Sequence, residues 1–128
     1  MNDRRLKFFI PALIWAVIIF SVSSIPDLSA PSFGFKFTDK AAHFVEYFIL
    51  GIFLAYAIAK LNLRLMRVFW ISVCISAFYG VTDEFHQFFI PGRQMDGFDM
   101  LADVLGALSA SGIYVFIIRN RGSRINLH

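Results

Sequence analysis

Long apolar runs separated by short polar segments are the dominant pattern in this sequence. A helix needs roughly 20 predominantly apolar residues to cross the hydrocarbon core of a bilayer, and four runs approach or reach that length. The pattern therefore predicts an all-α fold, a four-helix transmembrane bundle within a single membrane domain covering residues 1–128. The expected spans are approximately residues 6–25, 41–59, 68–90 and 100–118.

The composition agrees with a lipid environment, since 58% of the residues are hydrophobic and 16% are charged. Soluble domains carry about 25% charged residues. The net charge of +3 does not indicate a nucleic-acid partner, because the basic residues occur in short clusters between apolar runs rather than along one face. Cys74 is the only cysteine, which excludes an intramolecular disulfide.

The basic residues are distributed unevenly between the two sides of a four-span arrangement. Nine of the twelve lie on the side that holds both termini, whereas Lys36, Lys40 and Arg93 lie on the other. Lys and Arg are enriched in cytoplasmic loops. The sequence therefore predicts a multi-pass protein with cytoplasmic N- and C-termini.

Polar residues inside the last three spans fall at a common depth. At a rise of about 1.5 Å per residue, Glu46 lies about 21 Å and His43 about 25 Å from the basic end of their helix. Asp83 and Asp103 lie about 24 Å from the basic ends of theirs. Glu84 points about 100° away from Asp83, so only one of the two is expected to face the bundle centre. Ionisable groups within a span indicate a functional site by default.

Structural roles remain open beside the functional one. His43 with Glu46, or Asp103 with Arg93, are candidate pairs that would only specify how the helices dock. Carboxylates at helix starts stabilise the positive end of the helix dipole. Asp39 and Asp99 are the carboxylates at predicted helix starts, so stabilisation of a helix start is their alternative structural role.

Motifs along nearly the whole chain resemble the VanZ-like family of small bacterial membrane proteins. The most specific is Tyr79-Gly80-x-Thr82-Asp83-Glu84-x-x-Gln87-x-x-x-Pro91-Gly92-Arg93. The others are Ser23-Ser24-Ile25-Pro26, Asp39-Lys40-x-x-His43-Phe44-x-x-Tyr47-x-x-Leu50-Gly51 and Asp99-x-x-Ala102-Asp103-x-x-Gly106. The sequence departs from the family pattern at Asp103, where the family often has Asn.

This resemblance implies a location in the bacterial cytoplasmic membrane and a link to glycopeptide resistance of the teicoplanin type. The expected partners are the lipid bilayer and either a glycopeptide antibiotic or a lipid-linked cell-wall precursor, bound in a polar pocket at outer-leaflet depth. The candidate pocket residues are Asp39, Lys40, His43, Glu46, Thr82, Asp83, Glu84, Gln87, Arg93, Asp99 and Asp103.

Two alternatives stand beside the binding function. The first is a membrane-embedded, metal-dependent enzyme acting on a lipid-linked substrate, because oxygen and nitrogen side chains at one depth are suited to a divalent cation. The second is a transporter, for which a homodimer would supply the helices that a single chain lacks, with the stripe of small residues that includes Gly106 as its seam. The candidate metal ligands are His43, Glu46, Asp83, Glu84 and Asp103.

Overall fold

The computed structural model describes residues 3–26 and 38–125, and these residues form four helices and no strand. Two short helical turns, Asp3–Leu6 and Lys7–Phe9, lead into the first helix, which tolerates Pro11 because the residue lies in its first turn. The helices are α1 (Ile10–Ser23), α2 (Thr38–Ala59), α3 (Leu65–Gln87) and α4 (Gly97–Ile125). The prediction of an all-α fold with four helices is confirmed.

Three of the helices in the described part of the chain are long and apolar enough to cross a membrane. They are α2, α3 and the Gly97–Arg121 part of α4. The first apolar helix, counted from Lys7 to Ser23, is shorter than this criterion requires. The cytoplasmic placement of the termini stays a prediction, and Lys36 lies outside the described residues.

Four helix boundaries differ from the predicted ones by three residues, and two of these are the starts of α2 at Thr38 and of α3 at Leu65. The other two have identifiable causes. α3 ends at Gln87 rather than at residue 90, because the chain turns there and reaches Gly92, whose φ of 77° is open to glycine without strain. α4 begins at Gly97 rather than at residue 100. Asp96 precedes it as an N-cap, since its Oδ1 accepts a hydrogen bond from the Phe98 amide at 2.8 Å.

The closest helix pair is α2 with α4, which meet through small residues. A Cβ atom added to Gly51 would lie 2.9 Å from the Ala110 Cβ. A Cβ atom added to Gly106 would meet the Phe44 carbonyl oxygen and would lie 3.0 Å from the Phe48 amide nitrogen. The expectation that the Gly106 stripe forms a homodimer seam is therefore wrong, because α2 of the same chain occupies that face.

The first helix contacts the bundle along a narrow strip and leaves the rest of its surface apolar and exposed. Ala12 and Ile19 are buried, whereas most other apolar side chains of α1 are exposed. Among the hydrogen bonds that hold it, two join an aromatic side chain to a backbone carbonyl. Trp15 Nε1 donates to the carbonyl of Glu46 at 2.8 Å, and the Tyr79 hydroxyl donates to the carbonyl of Ala16 at 2.6 Å. The exposed apolar surface is suited to contact with lipid.

Candidate functional site

The carboxylates of α2, α3 and α4, together with the imidazoles of His43 and His86, gather at the end of the bundle where α1 and α3 finish and α2 and α4 begin. We call this end the polar end. It is formed by residues 22–24, 38–47 and 80–103, and the last of these ranges includes the turn before α4. The antiparallel order of the helices brings these segments together, because consecutive helices joined by short connections run in opposite directions.

Three helices each place one ionisable side chain in a buried cluster, which we call the His43 cluster. His43 Nδ1 from α2 lies 3.0 Å from Asp103 Oδ1 of α4. His43 Nε2 lies 3.8 Å from Glu84 Oε1 of α3, which is beyond hydrogen-bonding distance. His43 is 5% exposed, and both carboxylates are 0% exposed. The cluster therefore lies out of contact with solvent.

The cluster depends on a glycine in α3. A Cβ atom at Gly80 would lie 2.8 Å from Asp103 Oδ2, so only glycine lets α4 approach with this carboxylate in place. Asp103 Oδ2 and Glu84 Oε1 are both buried, and neither has a hydrogen-bond partner among the described residues. Buried polar atoms of this kind call for a specific explanation.

An ion-pair network covers the cluster at the start of α4. Lys40 Nζ donates to Asp96 Oδ2 at 2.8 Å and to Asp99 Oδ1 at 3.0 Å. The Lys40 hydrogen bond lowers the pKa of the Asp96 carboxyl below its ordinary value, and the hydrogen bond from the Phe98 amide acts in the same direction. The Asp96 amide donates to Glu84 Oε2 at 2.9 Å. The turn before α4 is thus joined to the cluster beneath it.

A second polar network joins α1 to α3. Ser23 Oγ donates to Asp83 Oδ2 at 2.9 Å, and Gln87 Nε2 donates to the same oxygen at 3.1 Å. Asp83 and Glu84 are both buried, so the expectation that only one of them faces the interior is wrong. The physical reason is that α3 has helices on both sides: Asp83 faces α1, and Glu84 faces the His43 cluster.

Arg93 does not pair with Asp103, contrary to one of the expected structural pairs. Its Nη2 donates to the carbonyl of Val22 at 3.1 Å, and Asp103 interacts with His43 instead. The turn that follows α3 carries Arg93 towards the end of α1, which explains the difference.

A pocket of about 310 Å³ opens at the polar end, beside the Lys40 network. Its walls carry both signs of charge, and it has more polar than apolar lining. The lining residues are Asp39, Gln87, Gly92, Arg93, Gln94, Met95, Asp96 and Asp99.

Two predicted site residues lie apart from the pocket, the His43 cluster and the two polar networks. Thr82 is exposed, and its hydroxyl donates to the carbonyl of Tyr79 in its own helix at 2.7 Å. Glu46 is half-buried. Of the predicted metal ligands, Glu46 and Asp83 join neither of the groups of described residues that are suited to a metal ion. Those groups are Asp39, His43 and Asp99, and His43, Glu84 and Asp103.

Sequence reasoning assigned no site role to two residues that the structure brings into these networks. Asp96 caps the start of α4, and it also binds Lys40 through its carboxylate and Glu84 through its amide. Ser23 lies at the end of α1 and binds Asp83. For Asp96, a signal was available in its position three residues before Asp99 on a helix start. For Ser23, the signal was a polar residue at the depth of the intramembrane carboxylates.

Comparisons with known proteins identify the family of the chain. The sequence model of the VanZ/LLP1 family matches residues 6–119. An uncharacterized protein of the fission yeast Schizosaccharomyces pombe is 32% identical over 98 residues, which cover 77% of this chain and 59% of the yeast protein. The chain thus matches little more than half the length of that relative. No solved structure matches the chain significantly. Because the family match covers nearly the whole sequence, this chain belongs to the VanZ/LLP1 family, a VanZ-like group of membrane proteins.

Proposed function

We propose that this protein binds an amphiphilic ligand of the cell envelope at its polar end. The ligand is either a glycopeptide antibiotic of the teicoplanin type or a lipid-linked cell-wall precursor. The observation that supports the proposal is the pocket of about 310 Å³, which carries charged side chains at the end of an apolar bundle. Concave sites with a few convergent polar groups are the usual places for small ligands.

The charged lining suits a headgroup that carries both acidic groups and amines or hydroxyls. Arg93 lines the pocket, and a guanidinium binds phosphate and carboxylate groups through paired hydrogen bonds. Asp39 also lines the pocket, and its carboxylate would bind the opposite kind of group, because a carboxylate accepts hydrogen bonds from amines and hydroxyls. Asp96 and Asp99 already share Lys40. Arg93 and Asp39 are therefore the residues expected to bind the headgroup.

An adjoining pocket of about 510 Å³ supports an amphiphilic ligand. It shares Arg93 and Met95 with the polar pocket, and Phe88 and Met100 add apolar surface to it. An apolar chain attached to the headgroup would lie here, next to the lipid. Flexible methionine side chains adapt readily to chains of varied shape.

The proposed location is the outer leaflet of the bacterial cytoplasmic membrane. It rests on the distribution of basic residues, which favours cytoplasmic termini and hence an outward-facing polar end. The yeast relative extends the similarity beyond bacteria and names no ligand. The similarity to the yeast protein therefore does not support a bacterial envelope ligand, which rests on the pocket and on the family resemblance.

Binding to reconstituted protein tests the proposal. Proteoliposomes are titrated with a fluorescent teicoplanin-type glycopeptide in one arm and a lipid-linked wall precursor in the other. Loss of one hydrogen bond to a charged group costs about 1.5–3 kcal/mol, so Arg93→Gln is expected to weaken binding roughly 10- to 100-fold. Arg67→Gln, at the other end of α3, is the matched control and is expected to bind like the wild type. Equal binding by Arg93→Gln and the wild type, or no binding of either ligand above empty vesicles, would refute the proposal.

A second candidate function is supported by the His43 cluster, which we propose as the centre of an enzyme that acts on a lipid-linked substrate. A histidine held by a carboxylate is a common general base. Turnover of the lipid-linked precursor by the wild type, abolished in His43→Gln and retained in Arg67→Gln, is the expected result. If the wild type binds the precursor but never converts it, the enzyme function is refuted and only the binding function remains.

A further inference from the structure

The polar end holds more carboxylates than basic side chains among the described residues. Two basic side chains, Lys40 and Arg93, and two imidazoles lie there. Lys40 is already engaged by Asp96 and Asp99, and Arg93 is directed to the end of α1. A buried carboxylate without a compensating charge is costly in a low-dielectric interior. The carboxylates at this end are Asp39, Glu46, Asp83, Glu84, Asp96, Asp99 and Asp103.

The imbalance is greatest at the His43 cluster, where one imidazole lies between two fully buried carboxylates. When the His43 ring donates its Nδ1–H to Asp103 Oδ1, at 3.0 Å, the other ring nitrogen is the one left to bind a cation. That nitrogen, Nε2, faces Glu84 Oε1 at 3.8 Å in a buried site.

We propose that His43 Nε2 and Glu84 Oε1 bind a divalent first-row metal ion, Zn²⁺ or Mn²⁺. An ion about 2.0–2.2 Å from each atom fits a separation of 3.8 Å between the two ligand atoms. Glu84 Oε1 supplies the second observation beyond the cluster of acids, because it belongs to a side chain that is 0% exposed and has no hydrogen-bond partner among the described residues. An imidazole with carboxylates is a ligand set that such ions accept.

Asp103 has a positioning role in this site. Metal-bound histidines usually donate their other ring N–H to a carboxylate, which fixes the tautomer and the orientation of the ring. Asp103 Oδ1 occupies that position against His43 Nδ1. The cluster of His43, Glu84 and Asp103 is also compact, since each offers one ligand atom and these atoms all lie within 4.8 Å of one another.

The acid-lined pocket adjoins the site. Asp39 and Asp99 lie in the pocket wall and form a second compact group with His43, with ligand atoms within 4.8 Å. Asp96, another residue of the wall, donates its amide N–H to the other carboxylate oxygen of Glu84. The metal site goes beyond the proposed ligand binding and does not rest on it, because the His43 cluster contains no headgroup-binding residue. It is an alternative to the general-base role of His43, because an Nε2 atom that holds an ion cannot also accept a proton.

Metal analysis of the full-length chain tests the site. Protein purified in detergent is stripped with chelator, loaded with Zn²⁺ or Mn²⁺ alone, passed through a desalting column and analysed by mass spectrometry. The wild type is expected to retain one ion per chain, and His43→Gln and Glu84→Gln to retain none. Glu84→Gln keeps an acceptor for the Asp96 amide, so helix content by circular dichroism is expected to stay unchanged. Asp103→Asn is expected to retain the ion with roughly 10- to 100-fold weaker affinity, the usual cost of removing such a supporting carboxylate.

Asp83→Asn is the matched control, because Asp83 is the adjacent carboxylate, is equally buried and faces α1 instead. It is expected to retain the ion with wild-type affinity. The proposal is overturned by wild-type protein that retains neither ion above a buffer blank. It is also overturned by folded Glu84→Gln that keeps the full complement, or by folded Asp83→Asn that loses it.

Discussion

The contact between α2 and α4 leads to a quantitative prediction for Gly106→Ala. The new methyl group would meet the Phe44 carbonyl oxygen and lie 3.0 Å from the Phe48 amide nitrogen, both of which are backbone atoms of α2. Backbone atoms of a helix cannot rotate away as a side chain does, so the two helices must separate. We therefore expect the substitution to destabilise the bundle and to draw Asp103, one turn earlier, away from His43.

The size of the effect follows from the cost of overpacking. Forcing one extra methyl group into a tightly packed interior costs about 1–3 kcal/mol. Gly112→Ala in the same helix is the control, since its Cβ would meet nothing closer than Phe69 Cε2, at an ordinary contact distance of 3.8 Å. Alanine also favours a helix by up to about 1 kcal/mol over glycine. Gly106→Ala is thus expected to be about 2 kcal/mol less stable than Gly112→Ala, which is roughly 30-fold in the unfolding equilibrium.

Unfolding in mixed detergent micelles measures this difference. Each variant is titrated with sodium dodecyl sulfate, and the loss of tertiary structure is followed by the fluorescence of Trp15 and Trp70, with refolding as the test of reversibility. The comparison between two alanines in one helix cancels most of the intrinsic helix preference. A Gly106→Ala protein as stable as Gly112→Ala would refute the close approach of α2 and α4 at this position.

Three further predictions concern individual contacts. Lys40 lowers the pKa of the Asp96 carboxyl, so this group stabilises the folded protein above its unfolded pKa of about 3.9. The contribution is lost as pH falls through the lower folded pKa. Asp96→Asn should therefore reduce the fall in melting temperature between pH 6 and pH 3. Ser72 and Ser111 share a buried hydrogen bond of 2.8 Å, so a double-mutant cycle with alanine in detergent unfolding should give a coupling of about 0.6 kcal/mol, and a zero coupling would contradict the bond. Tyr79→Phe removes the hydrogen bond to α1 and should cost about 0.5–1.5 kcal/mol in the same assay, whereas an unchanged midpoint would show that this bond does not hold α1.

The helices were predictable from the sequence because long apolar runs identify segments that can span a membrane. Their ends were less predictable, since hydropathy does not register capping. The fourth helix begins at Gly97 because Asp96 caps it, although the apolar run starts only later. The apolar segment that becomes α1 ends at Ser23, before the serine and isoleucine that follow it in the sequence.

The depth of the polar residues was also predictable, but their partners were not. Counting residues along each helix brings His43 and Asp103 to one height, and the structure places them 3.0 Å apart. Counting cannot say which helix packs against which face. This is why Asp83 and Glu84 were expected to differ in burial, and why Arg93 was paired with the wrong residue. The identity of a partner depends on the lateral arrangement of helices, which periodicity within one helix does not contain.

The weak packing of α1 has a consequence for the order of assembly. In the membrane, helices insert first and associate afterwards. α2 and α4 interlock through Gly51 and Gly106, whereas α1 is held mainly by hydrogen bonds to the carbonyls of Ala16 and Glu46 and by Ser23. We therefore expect α2, α3 and α4 to form a stable intermediate, and α1 to pack against it last. If α1 dissociated, Asp83 would be exposed to the lipid, so the packing of α1 determines whether the polar end is shielded from the bilayer.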